Sequence, residues 1–329
     1  MSTNFTEGVT VNTLGEGKRV KPMRGFQLFL RNFKRCWQLH LIMVAPLIYL
    51  ALFEYLPLYG IQIVFKDYNS RQGIWNSPWV GLENFYRFFE DRLWFRYVWN
   101  TFYLSFYNIL TFPIAIIFAL ILHVNEHKIL KKVTQNVSYI PHFISTVIMV
   151  GMLQQLLHPM SGLLGAFANQ FGWKNVPNVL QDPEYFADLY VWSGKWQSFG
   201  WSAILYVAAL SNVPSELHEA ATLDGASRLH RVWYVDLPTI MPTVTMMFIM
   251  QFGGILSVGY DKVLLMQNDV NKTASEVIST YVYRQGIGSN KMSYATAISL
   301  LNTCINTGMM FLMNGIVKLL GDEDTQTLF

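Results

Sequence analysis

The chain has 329 residues, 52% of them hydrophobic and only 14% charged, whereas a soluble domain carries about 25% charge. The formal net charge of +3 is small and gives no sign of a nucleic-acid partner. Cys36 and Cys304 lie far apart in sequence and lack metal-ligand company, so no disulfide framework is expected and both read as packed thiols.

Residues 1–25 are polar and read as a disordered tail. No A-x-A-like site follows the first apolar run, so that run is expected to stay as a membrane anchor and not as a cleaved leader. Residues 26–40 mix large apolar and basic groups, which suits an amphipathic helix lying on the membrane surface or a basic flank of the first span. Spanning a bilayer takes roughly 20 apolar residues. Six stretches qualify, near 41–65, 99–123, 135–157, 187–212, 239–261 and 294–319, giving a six-span domain over 41–320 and a short tail at 321–329. They are long and continuously apolar, so helices and not strands are expected: an all-α integral membrane fold.

Within the first span, Pro57 is expected to kink the helix, and Glu54 is the one charge placed to line a route or bind a partner helix. Lys18, Arg19, Lys21, Arg24, Arg31, Lys34 and Arg35 precede that span. Lys128, Lys131 and Lys132 follow the second, and Arg228 and Arg231 follow the fourth. An even number of spans separates these segments, and the positive-inside rule makes their shared face, and both termini, cytoplasmic. His123 and His127 are four apart at this boundary with no third ligand, so no metal site is expected. His142, after Pro141, reads as a packing or kink feature.

The fourth span is the least apolar. It carries Trp192, Ser193, Gly194, Lys195, Trp196, Gln197, Ser198, Phe199, Gly200 and Trp201. Flat aromatics stack on pyranose C–H faces, and Lys, Gln and Ser hydrogen-bond hydroxyls. An outer aromatic belt would account for the Trp residues but not for Lys195 and Gln197. The fifth span adds Gln251, Gly253, Gly254, Gly259 and Tyr260, with Asp261 and Lys262 placed to pair at its end. Asn302 and Asn306 share one face of the sixth and suit inter-helix hydrogen bonding.

Between the fourth and fifth spans runs Glu219-Ala220-Ala221-Thr222-Leu223-Asp224-Gly225, then nine residues, then Val235-Asp236-Leu237-Pro238. These residue types predict a short Ala-rich helix, a Gly break, and a second short helix ending at the Pro. Such a loop at a membrane face is shaped to dock into another protein. The chain has no G-x-x-x-x-G-K-[ST], and Gly15-Glu16-Gly17-Lys18 has the wrong length, so any ATP must be bound by a separate subunit.

The run Glu-Ala-Ala, three residues, Gly, nine residues, aliphatic-x-Leu-Pro resembles the EAA signature of inward-transporting, binding-protein-dependent ABC permeases of type I (MalF-like), with Val235 in place of the usual Ile. Gly81-Leu82-Glu83-Asn84-Phe85 followed by Asn100-Thr101 resembles their carbohydrate branch. Ser275-Glu276-Val277-Ile278 and Tyr281-Val282-Tyr283-Arg284 resemble its LplB-like subgroup. The resemblance implies the type I importer fold and no enzyme activity in this chain. It implies a bacterial cytoplasmic (inner) membrane location and carriage of a carbohydrate, of oligosaccharide size. The implied partners are a second homologous permease, two ABC ATPase subunits, an extracytoplasmic solute-binding protein and membrane lipid. It implies no cofactor, with ATP bound by the partner. Glu219, Ala220, Ala221, Asp224 and Gly225 are then expected to face the ATPase. Lys195, Trp196, Gln197, Ser198, Trp201, Gln251, Gly254 and Tyr260 are expected to line the substrate pathway. A stand-alone secondary transporter or channel for a small polar solute would explain six spans but not the EAA spacing, and it would want a mid-membrane charge pair for which only Glu54 is available. A membrane-bound enzyme lacks a catalytic dyad or metal cluster at one depth.

Overall fold

The computed structural model describes residues 37–172 and 176–320. The expected tail 1–25, residues 26–36 of the expected surface helix, Cys36 among them, and the tail 321–329 lie outside the described residues. Among those described there are helices and a single isolated bridge, Lys66 to Trp79. The chain divides into two compact units, Met1–Ile61 and Gln62–Phe329.

The first unit holds α1, Trp37–Leu50, which runs on through a π-turn at Ala51–Tyr55 into Leu56–Leu58. The cause is Pro57, which lacks an N–H and whose ring collides with the carbonyl four residues back. The wider π-turn, closed by Leu56 N–H donating to Ala51 O, absorbs that collision and keeps the helix running. Glu54 sits on this turn and is exposed.

The second unit includes the helices α2 (Trp94–Leu110), α3 (Pro113–Val124), α4 (Lys128–Tyr139), α5 (Thr146–Leu156), α6 (Pro183–Leu210), α7 (Ser215–Leu223), α8 (Arg228–Arg231), α9 (Leu237–Phe252), α10 (Tyr260–Met266), α11 (Ile278–Tyr283) and α12 (Met292–Leu320). Among the described residues, four helical runs are long and apolar enough to cross a bilayer: Trp37–Phe65, Trp94–Val124, Arg228–Phe252 and Met292–Leu319. A fifth arises if Lys128–Phe143 and Thr146–Leu156 count together, though they meet at 99°.

The bend breaks the expected continuous span 135–157. A 3-10 turn at Ile140–Phe143 contains Pro141, and Ile144 and Ser145 are extended. Ser145 then caps α5, its Oγ accepting from Ile148 N–H at 3.3 Å.

α6 covers the fourth expected span. At 28 residues it is long enough, but it falls short of the hydropathy of the others. Its packing supplies the reason: it lies against α2, α3, α4, α9, α10 and the turns at 140–143 and 272–275. The faces of the helix that meet these neighbours do not meet lipid, so polar side chains are tolerated on them. Ala203, Tyr206 and Leu210 form a core with Ala115, Ile116, Ala119 and Ile240. Higher up, Phe186 packs with Leu104, Met149, Val150 and Val263.

Gly200 sets the spacing of α6 and α4, because a Cβ there would stand 2.2 Å from Ser138 O. Neither backbone has room to move without losing the core beside it. Gly200→Ala is expected to lower the thermal unfolding midpoint of the purified protein by several degrees, an overpacking cost of about 1–3 kcal/mol. An unchanged midpoint would show that the two helices part freely.

Candidate functional site

The loop after α6 forms a compact helix-turn-helix. Pro214 precedes α7, which has no buried side chain. Its C-terminus closes as a Schellman motif. Gly225 N–H donates to Thr222 O at 3.1 Å and Ala226 N–H donates to Ala221 O at 2.9 Å. Gly225 adopts φ +78°, the left-handed conformation that this motif requires and that a side chain disfavours. Ser227 then caps α8, its Oγ accepting from His230 N–H at 3.3 Å. Glu219, Ala220, Asp224 and Gly225 are exposed, and Ala221 is half-buried. Around them stand Leu217, Leu229 and Trp233, and above all Leu223 at 90% exposure and Tyr234 at 77%. Apolar side chains bared on a short helix beside acidic ones make a surface suited to a protein partner.

The second helix of the loop does not end at Pro238, contrary to the sequence expectation. A π-turn at Val232–Asp236, closed by Leu237 N–H donating to Val232 O, widens the helix just before the Pro. The chain then continues as α9, so the second helix of the loop and the fifth apolar run are one rod from Arg228 to Phe252.

A cavity of about 470 Å³ opens between α3, α6 and α9, lined by Thr111, Phe112, Lys195, Ser198, Trp201, Ser202, Tyr206, Met247, Met250 and Gln251 among others. It gathers four of the expected pathway residues: Lys195, Ser198, Trp201 and Gln251. Trp201 is braced by His142, the rings stacked at 4.4 Å and 6°. Gln251 Nε2 reaches Asn108 O at 3.4 Å. Among the described residues no carboxylate pairs with Lys195. A larger groove of about 780 Å³ along α3 and the α8–α9 rod is lined mostly by aliphatic residues and has little to offer a hydroxyl-rich ligand.

The other four stand elsewhere. Gln197 donates to Ile144 O at 2.5 Å and so holds the broken α4–α5 junction. Trp196 lines a separate groove with Trp192, Met149 and Met152. Gly254 belongs to the turn after α9, and Tyr260 is exposed and stacked on Tyr283 at 5.2 Å. Lys262 does not pair with Asp261. It turns inward, donating to Tyr190 O at 2.5 Å with its Nζ 4.6 Å from the Tyr190 ring centroid, and burial pushes its ammonium pKa down to about 8. Cys304 is exposed and not packed, because it lies on the outer side of α12. Thr111, Phe112, Ser202, Tyr206, Met247 and Met250 carried no sequence signal: they reach the cavity only because three helices pack as they do.

Two of the quoted motifs meet. Asn100 Nδ2 donates to Thr273 O and Glu276 O, each at 3.0 Å, and Ile278 N–H donates to Thr101 Oγ1 at 2.8 Å. Arg284 binds the buried Glu276 carboxylate at 2.6 Å. Asn302 and Asn306 close the turn after α9, through Leu256 O at 3.1 Å, Leu256 N at 2.9 Å and Ser257 Oγ at 2.8 Å.

Residues 111–321 match the family profile described as binding-protein-dependent transport system inner membrane component. The polygalacturonan/rhamnogalacturonan transport system permease protein YteP of Bacillus subtilis is 36% identical over 87% of this chain and 89% of its own length. Protein LplB of the same organism is 34% identical over 90% of this chain and 93% of its own. Among solved structures, a bacterial ABC transporter that imports the acidic polysaccharide alginate superposes with a TM-score of 0.82 at 29% identity, over 89% of this chain and 99% of that one. The same type of transporter, in complex with a periplasmic protein carrying an alginate pentasaccharide, gives 0.80 at 30% identity.

Proposed function

This chain belongs to the binding-protein-dependent transport system inner membrane components, and we propose that it is the permease subunit of an ABC importer carrying an acidic oligosaccharide. It is a transport subunit and not an enzyme. It works with a second permease, separate ATPase subunits that bind the ATP, and a solute-binding protein that delivers the sugar. Six spans, with α6 as the fourth and the bent α4–α5 pair as the third, complete the path, and both termini lie on the cytoplasmic side with α7.

α7 is the coupling helix. Glu219, Ala220, Ala221, Asp224 and Gly225 form the face that meets the ATPase, a reading supported by their exposure beside Leu223 and by the absence of any buried side chain on α7. ATP-driven closure of the ATPase pair moves α7, the α8–α9 rod carries that movement into the membrane, and the cavity between α3, α6 and α9 alternates its access.

One observation carries the substrate class: Lys195 lines that cavity beside Trp201, Ser198 and Gln251 with no carboxylate of the described chain to neutralise it. A sugar carboxylate supplies the missing charge, and the Trp201 ring offers a flat face to the pyranose. Lys195→Ala is expected to raise the concentration of uronate oligosaccharide needed for half-maximal uptake by about 10–100-fold, the value of a charge-assisted hydrogen bond. Co-purification with the ATPase should be unchanged. Equal weakening toward a neutral oligosaccharide of the same length would refute the acidic class while leaving the permease assignment standing.

A further inference from the structure

Three side chains from three elements converge beside the coupling helix. His123 lies near the end of α3, His218 stands on α7 one residue before Glu219, and Asp236 closes the π-turn that leads into α9. Their ligand atoms all lie within 4.8 Å of one another. Asp236 is 1% exposed, and its Oδ1 is 3.1 Å from His218 Nε2 and 3.6 Å from His123 Nε2. Yet neither Asp236 Oδ1 nor His218 Nε2 makes a hydrogen bond among the described residues. The two atoms are close enough but lack the alignment of donor to acceptor, as ligands do when they are aimed at a common centre. A buried oxygen left without a partner costs about 1–3 kcal/mol, and more when charged, so the site calls for one more occupant.

We propose that His123 Nε2, His218 Nε2 and Asp236 Oδ1 bind a divalent transition metal of the zinc class. A tetrahedral ion with ligands at about 2.0–2.1 Å separates neighbouring ligand atoms by about 3.3 Å. The two contacts to Asp236, 3.1 and 3.6 Å, bracket that value. Two imidazoles and a carboxylate suit zinc better than magnesium or calcium, which prefer all-oxygen shells. The fourth position opens into a cavity of about 170 Å³ also lined by Glu126, Arg228 and Arg231. Both guanidinium groups are engaged elsewhere: Arg228 pairs with Glu126 at 3.0 Å, and Arg231 Nη1 donates to Thr222 Oγ1 at 3.2 Å.

The ion would tie α7 to the ends of α3 and α9 by coordinate bonds. α7 buries no side chain of its own, so beside the connecting chain and the Arg231–Thr222 hydrogen bond this clamp adds a path by which a push on the helix reaches α3 and α9. Metal content is read without any transport assay.

The test uses the full chain purified in detergent, stripped with a chelator and dialysed against Zn²⁺ or Co²⁺. The expected result is one tightly held equivalent of Zn²⁺ and the visible absorption of tetrahedral Co²⁺. Both should be lost in His218→Gln and in Asp236→Asn, and kept in His127→Gln, whose ring lies outside the cluster. Should Asp236→Asn fail to fold, His123→Gln and His218→Gln decide, since both side chains are partly exposed. Wild-type protein that holds no more metal than His218→Gln overturns the proposal. So does a cluster that answers only to pH, which would mean that a proton and not a metal neutralises Asp236.

Discussion

Gly225→Pro is expected to reduce oligosaccharide uptake more than 100-fold while leaving the amount of protein in the membrane unchanged. Gly225 holds φ +78° and donates its N–H to Thr222 O. Proline fixes φ near −65° and has no N–H, so the Schellman closure of α7 is lost, at a cost of about 3 kcal/mol or more. The damage falls on the direction in which the chain leaves α7 and enters α8. It does not fall on a buried core, because the residues around it are exposed. Insertion therefore survives and force transfer does not. Gly225→Ala keeps the N–H and pays only the left-handed penalty of about 1–2 kcal/mol, so its uptake should lie between the two. The measurement is substrate-stimulated ATP hydrolysis and uptake by the assembled complex in proteoliposomes. Uptake within twofold of wild type would mean that α7 does not couple. Glu219→Ala, which changes a charge and not the backbone, should weaken ATPase co-purification more than it changes the fold.

Arg284→Leu is expected to cost the folded protein about 3 kcal/mol. Glu276 is buried to 1% exposure, and Arg284 Nη2 binds its Oε2 at 2.6 Å and Gln267 Oε1 at 3.1 Å. Gln267 Nε2 in turn donates to Ser275 Oγ at 3.0 Å, and the Glu276 carbonyl is held by Asn100. Removing the guanidinium strands a carboxylate where water cannot reach it, and breaking a buried pair from one side costs about 3–5 kcal/mol. Arg284 itself is 37% exposed, which places the value at the lower end. The double variant Arg284→Leu with Glu276→Gln removes the stranded charge and is expected to recover most of the loss. Thermal unfolding of the four proteins in one detergent gives the cycle. A single variant that loses less than about 1 kcal/mol would show that the carboxylate finds solvent or a proton instead.

The two motifs that share this network differ in how far the sequence explains them. Asn100-Thr101 and Ser275–Ile278 are readable as patterns, but their spacing of more than 170 residues says nothing of contact; it is the folded chain that makes one cap the other. The same holds for the cavity. Lys195, Ser198 and Trp201 were marked by being polar or aromatic where apolar residues were expected, which is a local signal. Gln197, one residue from Ser198 and just as polar, turns the other way along the helix to Ile144 O. Composition does not tell which polar side chain of a span serves the pathway and which serves the backbone of a neighbouring break.

What the sequence by itself determined is whatever depends on local chemistry: helices, because long apolar runs in lipid must satisfy their own backbone groups, and the turn at Gly225, because only glycine enters that conformation freely. What the tertiary structure decided depends on distance between remote residues. It carried the chain through Pro238 on a π-turn, bent the third run at Ile144 and Ser145, and let α6 stay polar on the faces it packs against protein. It also brought His123 to His218 and Asp236, residues that no periodicity relates. The physical reason is the same in each case: helix periodicity constrains neighbours within a turn or two, whereas the packing of rods fixes which of their faces meet.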